Sequence, residues 1–377
     1  MTKKILVIGL TERMGGVETF IYNTTRFSDK TKYEYDFLVH GTDHTVFQRD
    51  IEKFYNDGQN HFYFVPSIKK QPLEAYKELD KFYKNNAEKY DYVHLETGAT
   101  SEIMYVYPFV KKYNLKVITH SHNGNGYSPI INSIFRPLVN SVSVKKLSCS
   151  REATNWLFGS KKSKEVITIN NGIDTNRFTF NKKARKRIRS KYGILDDTLV
   201  IGHIGRFSEQ KNHKFILEIF KEIVRQHNNS VLMLVGVGEL ENKIKEQVTV
   251  LHLNRKVIFC ELQNKTEDFY SSFDIFLMPS LYEGLPVVGI EAQCEGLPCF
   301  FSNKISSKIL ITQSAQCISL EKSPAIWARE ILNYRLTSNY NRKNGAKEIV
   351  NKGYSIRFTI KQLENIYSNA GNTNYSV

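Results

Sequence analysis

Short apolar runs recur along the chain, separated by stretches of helical length in which polar and apolar residues mix. Runs at Lys4–Ile8, Tyr35–Val39, Tyr92–Leu95, Val117–Thr119, Lys146–Ser148 and Val166–Ile169 predict a first series of strands. Runs at Leu199–Ile204, Val231–Val235, Val257–Cys260, Ile275–Met278 and Pro298–Phe301 predict a second. Segments such as Gln71–Asn86 and Phe215–His227 read as the intervening helices. Near-continuous apolar strands alternating with helices indicate parallel sheets covered on both faces. Two such series predict an α/β protein of two doubly wound, Rossmann-like domains. Asn170-Asn171-Gly172-Ile173-Asp174 is turn-forming, because Asn and Gly tolerate left-handed backbone. It divides the chain into residues 1–175 and 176–355, with the stretch near 172–198 as one hinge.

The composition supports two cores. The chain has 377 residues, 41% of them hydrophobic and 24% charged, which excludes a disordered or fibrous protein. No apolar run approaches the roughly 20 residues that cross a bilayer. The first run, Ile5–Leu10, stops at Thr11-Glu12-Arg13, too early for a secretory leader, and reads as a buried strand of a cytoplasmic protein. Five scattered cysteines and no Cys-x-x-Cys pair argue for reduced thiols and against a zinc ribbon. Lys and Arg number 53 against 38 Asp and Glu, a net charge of +15, so the partner is expected to be anionic.

Two segments have a plain and a functional reading. Lys182–Lys191 carries seven Lys or Arg in ten residues. It is either a solvated helix face or an anion- or membrane-facing one. Pro129–Lys146 has loosely helical apolar positions and ends in Lys145-Lys146. It is either core, an interfacial helix on an anionic bilayer, or a wall for an acceptor.

The sharpest chemistry lies in the second half. Ile201-Gly202-His203-Ile204-Gly205-Arg206 runs from a strand into a glycine turn and a cation, and Lys211-Asn212 follows. Glycine lets a ligand approach the backbone, and Arg206 and Lys211 place two positive charges where a parallel strand ends. Charge-assisted bonds to phosphate are the natural use. After the strand at Ile275–Met278 comes Ser280-Leu281-Tyr282-Glu283-Gly284-Leu285-Pro286, with Pro286 suited to the first turn of a helix. Glu291 follows Glu283 by eight residues, which helical rise converts to roughly 8–12 Å. Two carboxylates so spaced beside a helix start can hold hydroxyls on either side of a phosphate.

These motifs resemble those of the retaining nucleotide-sugar glycosyltransferases of family 4, which have the GT-B fold. The likeness also takes in Met14-Gly15-Gly16-Val17-Glu18, Thr119-His120-Ser121-His122-Asn123, the stretch Ser148-Cys149-Ser150 to Gly159, and the Asn170-Asn171-Gly172 turn. It is strongest to the capsular and exopolysaccharide branch. The resemblance implies two domains facing across a cleft, with a last helix, within 356–377, packing back on the first. It implies that Arg206 and Lys211 neutralise the donor diphosphate and that Glu291 accepts from ribose hydroxyls. Glu283, with the amides of Gly284 and Leu285, would hold the donor sugar. His120 would line the reacting centre, and Gly15 and Gly16 would let the first-domain loop close on the donor. A front-face substitution is implied, so no covalent residue is nominated. In that chemistry the charge that develops is on the departing diphosphate, where fixed cations act most directly. The sequence contains no Asp-x-Asp, so a metal-independent site without a cofactor is expected. The stretch Phe259–Asn264 departs from the family in lacking a glycine, and the branch points to uridine as the base.

The expected activity is therefore transfer of a hexosyl or N-acetylhexosaminyl group from a UDP-sugar to a lipid-linked glycan. The basic segments would bring the protein to the anionic inner leaflet. A transferase acting on protein Ser/Thr and a non-catalytic GT-B partner subunit are the alternatives. His120-x-His122 lacks an evident third metal ligand. A dinucleotide fingerprint, a Gly-x-Ser-x-Gly elbow and nucleic-acid motifs are absent.

Overall fold

A computed structural model describes residues 2–124, 128–261, 263, 265–337 and 341–369. The end of the tail, 370–377, and Leu262 and Asn264 of the departing stretch lie outside the described residues. The chain forms two units. One runs to Gly172 and is completed by the helix Ile356–Asn369; the other is Ile173–Ser355.

The first unit is built on strands β1 (Lys3–Ile8), β2 (Tyr33–His40), β3 (Phe62–Val65), β4 (Tyr92–Thr97), β5 (Val117–Ser121), β6 (Ser143–Ser148) and β7 (Val166–Thr168). All pair in parallel, in the order β3-β2-β1-β4-β5-β6-β7. Alternation along each strand feeds two cores. Leu6 and Ile8 join Leu38, Val93, Leu95 and Phe109 on one face; Ile5 and Val7 join Tyr35, Phe37 and Ile118 on the other. The helix Ile356–Asn369 buries Leu363, Ile366 and Tyr367 in the second of these.

The second unit contains β8 (Leu199–Ile204), β9 (Ser230–Val235), β10 (Val257–Cys260), β11 (Ile275–Met278), β12 (Cys299–Ser302) and β13 (Ala315–Ile318). They too are parallel, in the order β10-β9-β8-β11-β12-β13. Both sheets are therefore doubly wound, as expected from the patterning. The two strands the patterning misses, β3 and β13, are four-residue edge strands. As an edge strand β13 is not apolar throughout, with Gln316 and Cys317 facing solvent, whereas β3 is an apolar run of only four residues with Phe64 exposed.

Lys182–Lys191 is a single helix, capped by the Asn181 side chain, but its arginines are not a free basic face. Arg189 is buried, donating to the carbonyls of Ser272, Leu195, Asp196 and Thr198 and to Asp274 Oδ2 at 2.7 Å. Arg185 holds the other Asp274 oxygen at 2.6 Å, and Arg187 pairs with Asp268. Arg185 and Arg189 are internal wiring, supplying donors to carbonyls left at a helix end and in loops, whereas Arg187 is an exposed surface pair. In Pro129–Lys146 the helix ends at Val142 and β6 begins at Ser143. Val139 is core, whereas Ile130, Ile131 and Ile134 are exposed. Among the described residues no helix is long and apolar enough to cross a membrane.

Candidate active site

In a doubly wound sheet the carboxyl ends of the strands open a crevice where the strand order reverses. In the second unit that point lies between β8 and β11. The loop after β8 and the loop after β11 are laced together there. Leu281 N donates to Gln210 O (2.9 Å), Gln210 Nε2 to Tyr282 O (3.0 Å) and Asn212 Nδ2 to Pro279 O (3.1 Å). Beneath them His203 Nδ1 donates to Leu277 O at 2.8 Å, which ties the two strands. Lys211 Nζ reaches Glu283 Oε1 at 2.6 Å, with both side chains mostly buried. The switch point thus holds a cation and a carboxylate in contact.

Arg206, on the same loop, takes a different partner. Its guanidinium is 62% exposed and pairs with Glu239 Oε2 at 3.1 Å. Glu239 follows Gly236-Val237-Gly238 at the end of β9, a feature the sequence reading overlooked. A Cβ on Gly236 would lie 2.2 Å from Gly205 O, and one on Gly238 would lie 2.4 Å from Phe207 O. The Gly-x-Gly spacing at the end of a predicted strand was the available signal. It lets the β8 and β9 loops pack backbone to backbone.

Glu291 sits inside the helix Val287–Cys294, whose N-cap is Pro286; Pro286 therefore precedes the first turn rather than occupying it. Its carboxylate is buried and accepts from the Tyr270 hydroxyl at 2.8 Å. Burial pushes the Glu291 carboxyl up to about 7, against the opposing pull of Tyr270 and Arg177. Arg177 itself makes two bonds to Glu267, at 2.9 and 2.8 Å. Gly284 has open space where a side chain would stand, and Leu285 is core. Direct contact therefore joins Lys211 to Glu283, while the side-chain contacts of Arg206 and Glu291 are to Glu239 and Tyr270.

In the first unit the strand order reverses between β1 and β4. The glycine loop after β1 enters the helix Gly16–Phe27 there, with Glu18 in its first turn accepting from Thr11 Oγ1 at 2.6 Å. A Cβ on Gly15 would come 2.6 Å from the Glu18 carboxylate; one on Gly16 would meet nothing within 4 Å.

His120, at the end of β5, is fully buried and does not stand alone. Register places it beside Glu96 of β4, and the two-residue period of a strand brings His94 and His122 to the same face. His122 Nε2 lies 2.6 Å and His120 Nδ1 2.9 Å from Glu96 Oε2, and His94 Nε2 lies 3.4 Å from Oε1. Burial alone would raise Glu96, but the surrounding imidazoles hold it well below the usual carboxylate range. Burial pushes His120 down to about 4. The ligand atoms of His94, Glu96 and His120 all lie within 4.8 Å of one another. This corrects the expectation that His120-x-His122 lacks further ligand-type neighbours: they come from the adjacent strand, in His94-x-Glu96.

Residues 184–325 match the family model for glycosyl transferases group 1, and residues 14–177 match that for glycosyltransferase family 4. Both models are of glycosyltransferases, and between them they cover most of the chain. The family models span Arg206, Lys211, Glu283 and Glu291 in one unit and Gly15, Gly16 and His120 in the other. The chain is 29% identical to a putative glycosyltransferase, EpsF, of Bacillus subtilis, over 97% of this chain and 96% of that protein. It is 25% identical, over 83% and 85%, to an Escherichia coli UDP-Gal:alpha-D-GlcNAc-diphosphoundecaprenol alpha-1,3-galactosyltransferase. Among solved structures, Anabaena HepE in complex with UDP and glucose superposes with a TM-score of 0.81 at 16% identity, covering 97% of this chain and 99% of that one. At that identity the likeness is one of fold, two Rossmann-like domains of the GT-B class, as the sequence implied. This glycosyltransferase is thus an enzyme that transfers a sugar.

Proposed function

We propose that the enzyme moves a hexosyl or N-acetylhexosaminyl group from a UDP-sugar to a lipid-linked glycan of capsular or exopolysaccharide assembly, with retention of anomeric configuration. The observation that carries this reading is the Lys211–Glu283 contact at the β8/β11 switch point, with Arg206 on the same loop. Lys211 and Arg206 would exchange their carboxylate partners for the donor diphosphate and stabilise it as it leaves. Glu283, freed from Lys211, would accept from sugar hydroxyls, with the Gly284 and Leu285 amides beside it. Glu291 would accept from the ribose, and His120 would meet the sugar. The Gly15-Gly16 loop would close on the donor. The diphosphate itself would take the acceptor's proton, and neither a metal nor a cofactor would be needed.

The relatives support the substrate class. The Escherichia coli enzyme carries a UDP-galactose donor and a diphosphoundecaprenol acceptor in its name. A Staphylococcus aureus relative, 27% identical over 52% of this chain, is a capsular polysaccharide biosynthesis glycosyltransferase. The exposed Ile130, Ile131 and Ile134 would face the inner leaflet where such a lipid resides. Lys145 and the lysines at 161–164 would add a basic margin.

The test is a thermal-shift series with nucleoside diphosphates and nucleotide sugars, since a ligand of the native state raises its melting temperature. A uridine-selective rise, with transfer that persists in excess EDTA, is the expected outcome. No rise with any nucleotide would refute the proposal.

A further inference from the structure

The Glu96 cluster goes beyond the roles assigned so far. One anionic carboxylate is buried among three imidazoles, and each ring turns one nitrogen toward it. The His122 contact is an aligned hydrogen bond, whereas those of His94 and His120 are close approaches at 3.4 and 2.9 Å. A ring nitrogen that close to a carboxylate carries the proton, because the other tautomer would aim a lone pair at an anion. The assignment has a consequence at each far nitrogen. His94 Nδ1 becomes an acceptor, and the Tyr367 hydroxyl supplies its proton at 2.6 Å. His120, held neutral by its burial, likewise has an acceptor at Nε2, yet that atom is buried and finds no hydrogen-bond partner among the described residues. Phe20 stands against both rings, with ring centroids 5.1 Å from His120 and 5.0 Å from His122, and limits their rotation. A buried acceptor without a donor costs free energy unless a ligand supplies one.

We propose that Glu96 is a positioning residue for His120: it keeps the proton on Nδ1, so that Nε2 presents a lone pair to a hydroxyl of the bound sugar. This rests on the reading that His120 meets the sugar. In that arrangement His120 accepts a hydrogen bond and does not donate one. Tyr367, on the helix that completes this unit, fixes His94 in the matching state, with its N–H turned toward Glu96.

The experiment uses the full-length protein with 15N-labelled histidine. Long-range proton–nitrogen spectra at pH 7, assigned with His120→Gln, should show His120 neutral with Nδ1 protonated and Nε2 bare. Glu96→Gln replaces one acceptor oxygen by an N–H donor. It should shift His120 toward the other tautomer and lower kcat roughly 10- to 100-fold, the worth of one good hydrogen bond in the transition state, with the donor KM little changed. Glu96→Asp should restore part of that rate. Three results would overturn the proposal: a wild-type His120 protonated at Nε2, a Glu96→Gln enzyme of normal kcat, or a stoichiometric divalent ion held by His94, Glu96 and His120. If Glu96→Gln does not fold, the wild-type spectrum still decides the tautomer. The expected spectrum in a protein without transfer activity would support the tautomer assignment and sink the function proposed above instead.

Discussion

Glu291 offers a prediction in which stability and function pull in opposite directions. Its carboxyl is held at about 7 by burial, against an ordinary value of 4.5. At about 1.36 kcal/mol per unit, ionising it in the folded state costs about 3 kcal/mol more than in the unfolded chain. Between pH 4.5 and 7 the native protein binds more protons than the unfolded one, so this group lowers stability as pH rises through that window. Below 4.5 it contributes nothing, and above 7 the whole penalty is present. Glu291→Gln removes the charge and keeps an oxygen for the Tyr270 hydroxyl. The melting temperature of the variant minus that of wild type should therefore climb from pH 5 to pH 8. About 2.5 kcal/mol of the penalty develops between pH 5 and pH 8, so the rise should be about 5–10 °C, taking roughly 2–4 °C per kcal/mol for a unit of this size. The neighbouring Glu295, which burial also pushes up to about 7, gives both proteins the same background slope, and it cancels in the difference. The variant should at the same time bind UDP more weakly by calorimetry, because in the proposed function this carboxylate accepts from the ribose and it has become an amide. A melting difference that stays flat across this range would refute the reasoning on burial.

Two further predictions concern the frame of the site. Arg189→Met leaves Asp274 and several carbonyls short of donors and should cost about 3–5 kcal/mol in denaturant unfolding, whereas the exposed Lys183→Ala should cost under about 0.5; equal effects would mean that the basic run acts as one solvated face. Gly238→Ala would press a methyl against Phe207 O and N, 2.4 and 2.6 Å away, and should lower both unfolding stability, by about 1–3 kcal/mol, and donor affinity; an unchanged melting curve would contradict the packing of the two loops.

Much of this molecule was legible in its sequence, for identifiable reasons. Buried parallel strands announce themselves as apolar runs, so the interior of both sheets could be read. The edge strand Ala315–Ile318 could not, because half its side chains face water. Local motifs were legible too: Gly205-Arg206, Lys211 and Glu283 each lie next to a strand end. What sequence spacing does not reveal is which partner a charge takes. That Arg206 meets Glu239, or that Arg189 is buried while Lys183 is exposed, depends on neighbours more than 30 residues away. The Glu96 cluster was hidden for the same reason. His94-x-Glu96 and His120-x-His122 are two unremarkable pairs until parallel register sets Glu96 against His120.

The claim that fixed cations stabilise the departing diphosphate is tested most directly by the turnover of Arg206→Ala. Lys211→Ala also strands the largely buried Glu283 carboxylate, so its rate mixes catalysis with stability. Arg206 is exposed and paired only at the surface, so its removal should leave the melting temperature within about 1–2 °C of wild type. Measured on such a folded sample, kcat with the UDP-sugar should fall at least ~100-fold. A turnover near that of wild type would contradict the account.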